Sequence, residues 1–221
     1  MSLIAKVNDT VEYPLPEPGS YSARCVRVID LGTQQSMTKG GLKENHQTYI
    51  EWELFGENGA EESPFLVGNR YNFYLTPNSF LRKALENWRG TPFADEGIKQ
   101  FDLYNVLGKD CDLGVVHNKV GEKTYANVSS ILPTKKGEKA KIANYKQATP
   151  LLYFDLDKAG QIGFQTDYDS VPKWLQGIIH KSKEWPDVLR KMHGNGQQAP
   201  QAQQWPAPTE LDEDELAVMP F

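Results

Sequence analysis

In Gln47-Thr-Tyr-Ile-Glu-Trp-Glu-Leu-Phe55, Ile50, Trp52 and Leu54 alternate with Tyr49, Glu51 and Glu53. A period of two marks a strand with one apolar and one polar face. Upstream, residues 20–31 are rich in β-branched and aromatic side chains and read as a preceding strand. Between the two, residues 32–46 are polar, carry Lys39, Gly40-Gly41 and Lys43, and read as a loop. Downstream, residues 56–63 form a polar turn and 65–76 a third strand, broken near Gly68. Pro77 closes that strand. Asn78 or Ser79 then caps a helix reaching to about Arg89, whose Leu81, Leu85 and Trp88 recur at helical spacing. Gly90, Thr91 and Pro92 stop it. A second helical turn or two is expected over 95–107, followed by strands over 111–117 and 125–132 around a turn containing Gly121.

Three strands, a helical insert and two more strands is the arrangement of an OB barrel, and connections this short favour antiparallel pairing. The expected class is therefore mainly β, a five-stranded OB-fold barrel with a helical insert between strands 3 and 4. Residues 1–19 form an entry segment and 20–133 the barrel. Residues 134–193 form a basic arm and a C-terminal β/α extension packing on the barrel. The extension has a strand or edge extension over 149–156 and a mostly helical stretch over 172–190, with Trp174, Leu175, Ile178, Ile179, Trp185 and Leu189 supplying an apolar side. Residues 194–221 begin with a stretch of Gly, Gln, Ala and Pro that is poor material for a core, and are expected to be a disordered linker and tail.

The chain has 221 residues, 39% hydrophobic and 24% charged, which suits a soluble globular protein with some unstructured sequence. No apolar run approaches the roughly 20 residues of a membrane span, and the N-terminus lacks a signal-peptide pattern. Cys25 and Cys111 lie in apolar strand-like segments and read as buried thiols. The net charge of −5 is local. Residues 210–221 hold five acids and no base; removing those five from the chain's 29 leaves 24, equal to its 24 lysines and arginines. The body is thus formally neutral, and the acidic total does not count against a polyanionic ligand.

Catalytic chemistry is not expected. Gly108-Lys-Asp-Cys-Asp112 lacks P-loop spacing, the four histidines are scattered, and Ser129-Ser130 has no nucleophile-elbow context. The pairs Asp155/Asp157 and Asp167/Asp169 are the one route to a Mg²⁺-dependent nuclease, but carboxylates two apart on turns or strands are usually solvated. No cofactor or metal site is expected.

Aromatic side chains interleaved with cations on a barrel surface suit single-stranded nucleic acid, because rings stack on bases and cations follow phosphates. The candidates are Arg27 on the first strand, Lys39 and Lys43 in the following loop, Tyr49 on the second strand, Arg70 and Tyr74 on the third, and Lys123 and Tyr125 on the fifth. Lys135 and Lys136 open a basic run through Lys139, Lys141 and Lys146. Two features oppose this: Glu51 and Glu53 share the face of Tyr49, and Arg27 has those carboxylates to pair with across the sheet. Trp52 and Trp88 are expected in the core.

The terminus Leu-Asp-Glu-Asp-Glu-Leu-Ala-Val-Met-Pro-Phe combines Asp212, Glu213, Asp214 and Glu215 with Pro220, Phe221 and the free carboxylate. A solubilising tail gains nothing from an apolar tip, whereas a pocket with a basic rim would hold the acids and bury the Phe ring. This is read as a recruitment peptide. A scaffold whose barrel binds protein rather than nucleic acid is the alternative reading of the whole chain.

Val28-Ile-Asp-Leu-Gly-Thr-Gln34, Ser79-Phe-Leu-Arg-Lys-Ala-Leu-Glu-Asn-Trp-Arg-Gly90 and Leu107-Gly-Lys109 carry a further likeness, spanning residues 20–133. On them the chain resembles OB-fold single-stranded DNA-binding proteins encoded by tailed bacteriophages. The resemblance implies binding without sequence specificity in DNA replication, recombination or repair, inside the cytoplasm of an infected bacterium, possible homo-oligomers included. Separately, Pro220-Phe221 and the carboxylate are similar to the tip of bacterial single-stranded DNA-binding proteins, which implies recruitment of replication or recombination proteins. Here Leu216-Ala-Val-Met219 separates the acids from Pro220, where that tip places acids closer.

Overall fold

The protein is described here by a computed structural model, covering residues 14–38, 40–56, 64–94, 98, 101–135, 137, 142 and 145–193. Its strands are β1 (Gly19–Thr38), β2 (Gly41–Leu54), β3 (Leu66–Asn72), β4 (Asp110–Val120), β5 (Lys123–Leu132) and β6 (Leu152–Phe154). Four helices are described: α1 (Phe80–Arg89), α2 (Phe164–Ser170), α3 (Lys173–Ile179) and α4 (Trp185–His193). The architecture is mainly β. One sheet runs in the order β3-β2-β1-β4-β5 with every pair antiparallel, and β6 adds to β1 in parallel. The edge strands β3 and β5 touch, but no hydrogen-bonded ladder joins them.

The alternation of 47–55 is realised as two separate cores. Ile50, Trp52 and Leu54 join Ala23, Cys25, Val28 and Leu113 on one side of the sheet, closed by Leu81, Leu85 and Trp88 of α1. Ser79 caps α1 by accepting from the Arg82 amide at 3.2 Å, and Gly90 ends it in the left-handed region at φ 71°. The Trp88 indole donates to the Asp110 carbonyl at 2.9 Å, which fixes the helix to β4. On the other side, Ile29, Leu31 and Tyr49 pack with Leu152, Phe154, Phe164, Leu175 and Ile179. The polar face of β2 is therefore covered. Cys25 and Cys111 are buried free thiols, pushed well above the ordinary thiol range by desolvation.

Two expectations about elements need correction. Residues 32–46 are not a loop: β1 continues to Thr38 and β2 starts at Gly41, in register from Thr33 opposite His46 to Thr38 opposite Gly41. The ribbon is polar because it leaves the sheet, and its base is held from outside. The Thr33 amide and hydroxyl donate to Glu184 at 2.7 and 2.6 Å, and the Gln34 amide donates to the Ile178 carbonyl at 3.2 Å. Gly32, at φ 69°, marks a bulge in β1, with its amide on Asp30 Oδ1 at 2.8 Å. Second, β3 is unbroken at Gly68, which pairs with Glu51. That position is glycine because Tyr49 lies across it; a Cβ there would collide with the Tyr49 hydroxyl and ring. The mostly helical stretch over 172–190 comprises α3 and the start of α4, and between them the Lys183 amide donates to the Thr33 carbonyl at 3.1 Å.

Candidate nucleic-acid interface

The ten candidate DNA contacts fall into distinct environments. Arg27 is paired to Glu51 in a contact that is mostly buried, with side chains 18% and 7% exposed. Tyr49 is 8% exposed; its hydroxyl donates to Glu51 Oε1 at 3.1 Å, and its ring lies edge-to-face with Trp174 at 5.2 Å. Desolvation, with Glu51 beside it, raises the Tyr49 phenol well above its usual range. Neither residue presents itself to a strand of nucleic acid, and their place on an open face is corrected accordingly. The cause is the layer of α2, α3 and α4, which closes over the outer face of β1 and β2.

Glu53, on the same face, is fully buried and accepts from the Tyr145 hydroxyl at 3.1 Å and from the Ala148 and Thr149 amides at 2.9 and 2.7 Å. Burial and the neighbouring Glu53 push the Tyr145 phenol up to about 12. Tyr145 also stacks on Phe55 at 3.7 Å, and the Arg24 guanidinium lies over that Phe ring while bonding Asp110 at 2.7 Å. Of the two carboxylates that opposed phosphate binding in the sequence, Glu53 thus fastens residues 145–149 onto the sheet, while Glu51 is taken up by Arg27 and Tyr49.

Other candidates remain open to solvent. Tyr125 is 40% exposed on β5, with Lys123 two residues away on the same face and Asn118 directly opposite. Lys119, which the sequence reading passed over, is exposed beside them on the other face of the β4–β5 ribbon. Tyr74, 42% exposed, follows β3 and donates to Asn45 Oδ1 at 3.2 Å. Lys43 is exposed on the β1–β2 ribbon opposite Ser36, a strand position rather than a loop rim. Lys135 is 67% exposed at its side chain, 3.7 Å from the buried Asp112 carboxylate. Arg70 is half-buried on β3, opposite Tyr49, and desolvation lowers its pKa.

Lys39 and Lys136 lie outside the described residues, as do Asp212, Glu213, Asp214, Glu215, Pro220 and Phe221. Asp155 caps the turn at Leu156–Lys158 by accepting from the Asp157 amide at 3.0 Å, and Asp169 accepts from Gln165 at 2.7 Å. Both carboxylates therefore have local structural duties, and among the described residues no three acids, histidines or cysteines are grouped to hold a metal ion. No described helix is long and apolar enough to cross a membrane.

The most informative residue missed by the sequence is Trp174. Its helical spacing assigned it to an apolar side, yet it is 53% exposed. Only Leu175 and Ile179 of α3 turn fully inward. No protein-family model matches this chain, and no curated protein matches it.

Proposed function

We propose that this protein binds single-stranded DNA without sequence specificity, through an OB-type barrel, and recruits a partner through its acidic C-terminal tip. The strand order β3-β2-β1-β4-β5, with α1 between β3 and β4 and touching β3 and β5, supports the OB reading. The observation that carries the function is the β4–β5 ribbon, where the accessible Tyr125 ring shares a face with exposed Lys123 and exposed Lys119 adds a cation on the other face. Rings stack on any base and ammonium groups follow any backbone, so this pairing favours strand binding without sequence readout. The role is occupancy, keeping an exposed strand from nucleases and from re-annealing during phage replication, recombination or repair in the host cytoplasm.

Fluorescence anisotropy of a labelled oligo-dT tests this. Affinity is expected to fall steeply with salt, with a log–log slope near −0.7 for each phosphate neutralised. Absence of any response at low salt overturns the reading and leaves the scaffold alternative. Deleting Phe221 alone is expected to spare oligo-dT binding and abolish capture of the partner; retained capture removes the tip from the proposal.

A further inference from the structure

The outer face of β2, closed to Arg27 and Tyr49, is not featureless where the C-terminal extension meets it. Trp174 projects from α3 with more than half its surface in solvent, and its ring meets Tyr49 at 89°. Tyr49 is itself fixed: it lies across Gly68 of β3, and its hydroxyl is bonded to Glu51, which Arg27 holds. The helix is fixed as well. Leu175 and Ile179 are fully buried, and the Gln176 side chain donates to the Tyr168 and Val171 carbonyls at 3.0 and 2.9 Å. An exposed indole is thus presented in one orientation, with little rotamer freedom left to lose when a flat ligand lands on it.

Arg70 is the cross-strand partner of the same tyrosine on the β2–β3 ladder, so the two side chains leave the sheet on one face. Its guanidinium is half-buried, and among the described residues no carboxylate pairs with it. Burial lowers its pKa. A partly desolvated cation without an anion is a poor structural element and a good receptor for one, because guanidinium matches phosphate in a two-pronged contact. Ring and cation flanking one buried tyrosine match the two chemistries of a nucleotide.

We infer that Trp174 and Arg70 form a nucleotide subsite, the base lying on the exposed indole and the phosphate on the guanidinium, with Tyr49 as the positioning residue between them. The inference rests on the proposed binding of single-stranded DNA and extends it. The subsite joins α3 of the C-terminal extension to β3 of the sheet.

The full-length protein is titrated with oligo-dT as wild type, Trp174→Ala, Trp174→Phe, Arg70→Gln and Tyr125→Ala. Trp174→Ala is expected to weaken binding about 5- to 160-fold, the range of one base stack. Trp174→Phe keeps a ring and is expected to recover most of that affinity, while losing the tryptophan quenching that accompanies binding in the wild type. Arg70→Gln is expected to lower the salt slope by about 0.7. If the wild type and Tyr125→Ala behave as the ribbon predicts but Trp174→Ala binds as tightly as wild type and Trp174→Phe quenches as before, the subsite is wrong and the function stands. If the wild type does not bind oligo-dT at low salt, both fall together.

Discussion

The β1–β2 and β4–β5 hairpins contain the same ingredients, tyrosines and charges on alternating strands, and put them to opposite use. On β1–β2, Arg27, Tyr49, Glu51 and Glu53 lie under the C-terminal extension and bond one another or the chain above. On β4–β5, Lys119, Lys123 and Tyr125 face water. A charge inside protein is stable only when paired or well hydrogen-bonded, and then it has little left for a ligand; a charge in water contributes little to folding and remains available. What separates the two hairpins is the third layer over one of them, not the residues they carry.

The largest way to break this contrast is to remove a partner from the covered side. Arg27→Ala leaves Glu51 buried without its cation and is expected to cost about 3–5 kcal/mol of stability in urea unfolding, the range for orphaning one member of a buried pair. Lys123→Ala, on the open hairpin, is expected to stay within roughly 0.5 kcal/mol. If Arg27→Ala keeps the wild-type midpoint and instead flattens the salt dependence of DNA binding, Arg27 faces phosphate and the two hairpins are alike. Gly68→Ala probes the same side more gently. The new methyl forces Tyr49 off β3, an overpacking expected to cost about 1–3 kcal/mol and to loosen Trp174 with it.

How much of this was legible follows from where the partners lie in the chain. Core side chains such as Ile50, Trp52, Leu81 and Leu85 announce themselves, because burial needs only that they be apolar at the right period. Ser79 and Gly90 mark the ends of α1 through groups within four residues. The fate of Glu53 was not legible, because its donors Tyr145, Ala148 and Thr149 come 92 to 96 residues later. Residues 33–46 read as a loop for the same reason: the groups that hold the ribbon are Glu184 and the Ile178 carbonyl, 151 and 144 residues away. Trp174 failed in the other direction. Its spacing is that of an apolar stripe, but α3 spans only seven residues and buries its side chains from Leu175 onward.

On the open hairpin the expected losses are in binding. Tyr125→Ala is expected to weaken oligo-dT binding by about 1–3 kcal/mol without altering its salt slope, since a ring holds a base rather than a phosphate. Lys119→Ala and Lys123→Ala are each expected to reduce that slope by about 0.7, with a smaller loss of affinity. A tyrosine variant that changes the slope, or lysine variants that do not, would make Tyr125 and the two lysines part of one structural unit, as on β1–β2.

The smallest effect tests the ribbon where β1–β2 emerges from under its cover. His46 donates from Nε2 to Asp30 Oδ1 at 2.7 Å, and this bond, with the Asp30 charge, raises the imidazole pKa above its ordinary 6.5 against the desolvation that lowers it. A raised folded-state pKa means that protonation favours the folded protein. The contribution is fully present below about 6.5 and is lost as pH rises through the higher folded value. His180 works against it: desolvation lowers its pKa, so its contribution is lost as pH falls. The two are separated by subtraction. Unfolding free energies of wild type minus His46→Gln are expected to be larger at pH 5.5 than at pH 8.5, by roughly 0–1 kcal/mol for a pair this exposed. Equal differences at the two pH values would mean that the Asp30 carboxylate, already accepting from the Gly32 amide, needs no charge from His46 to hold the bulge at the base of the ribbon.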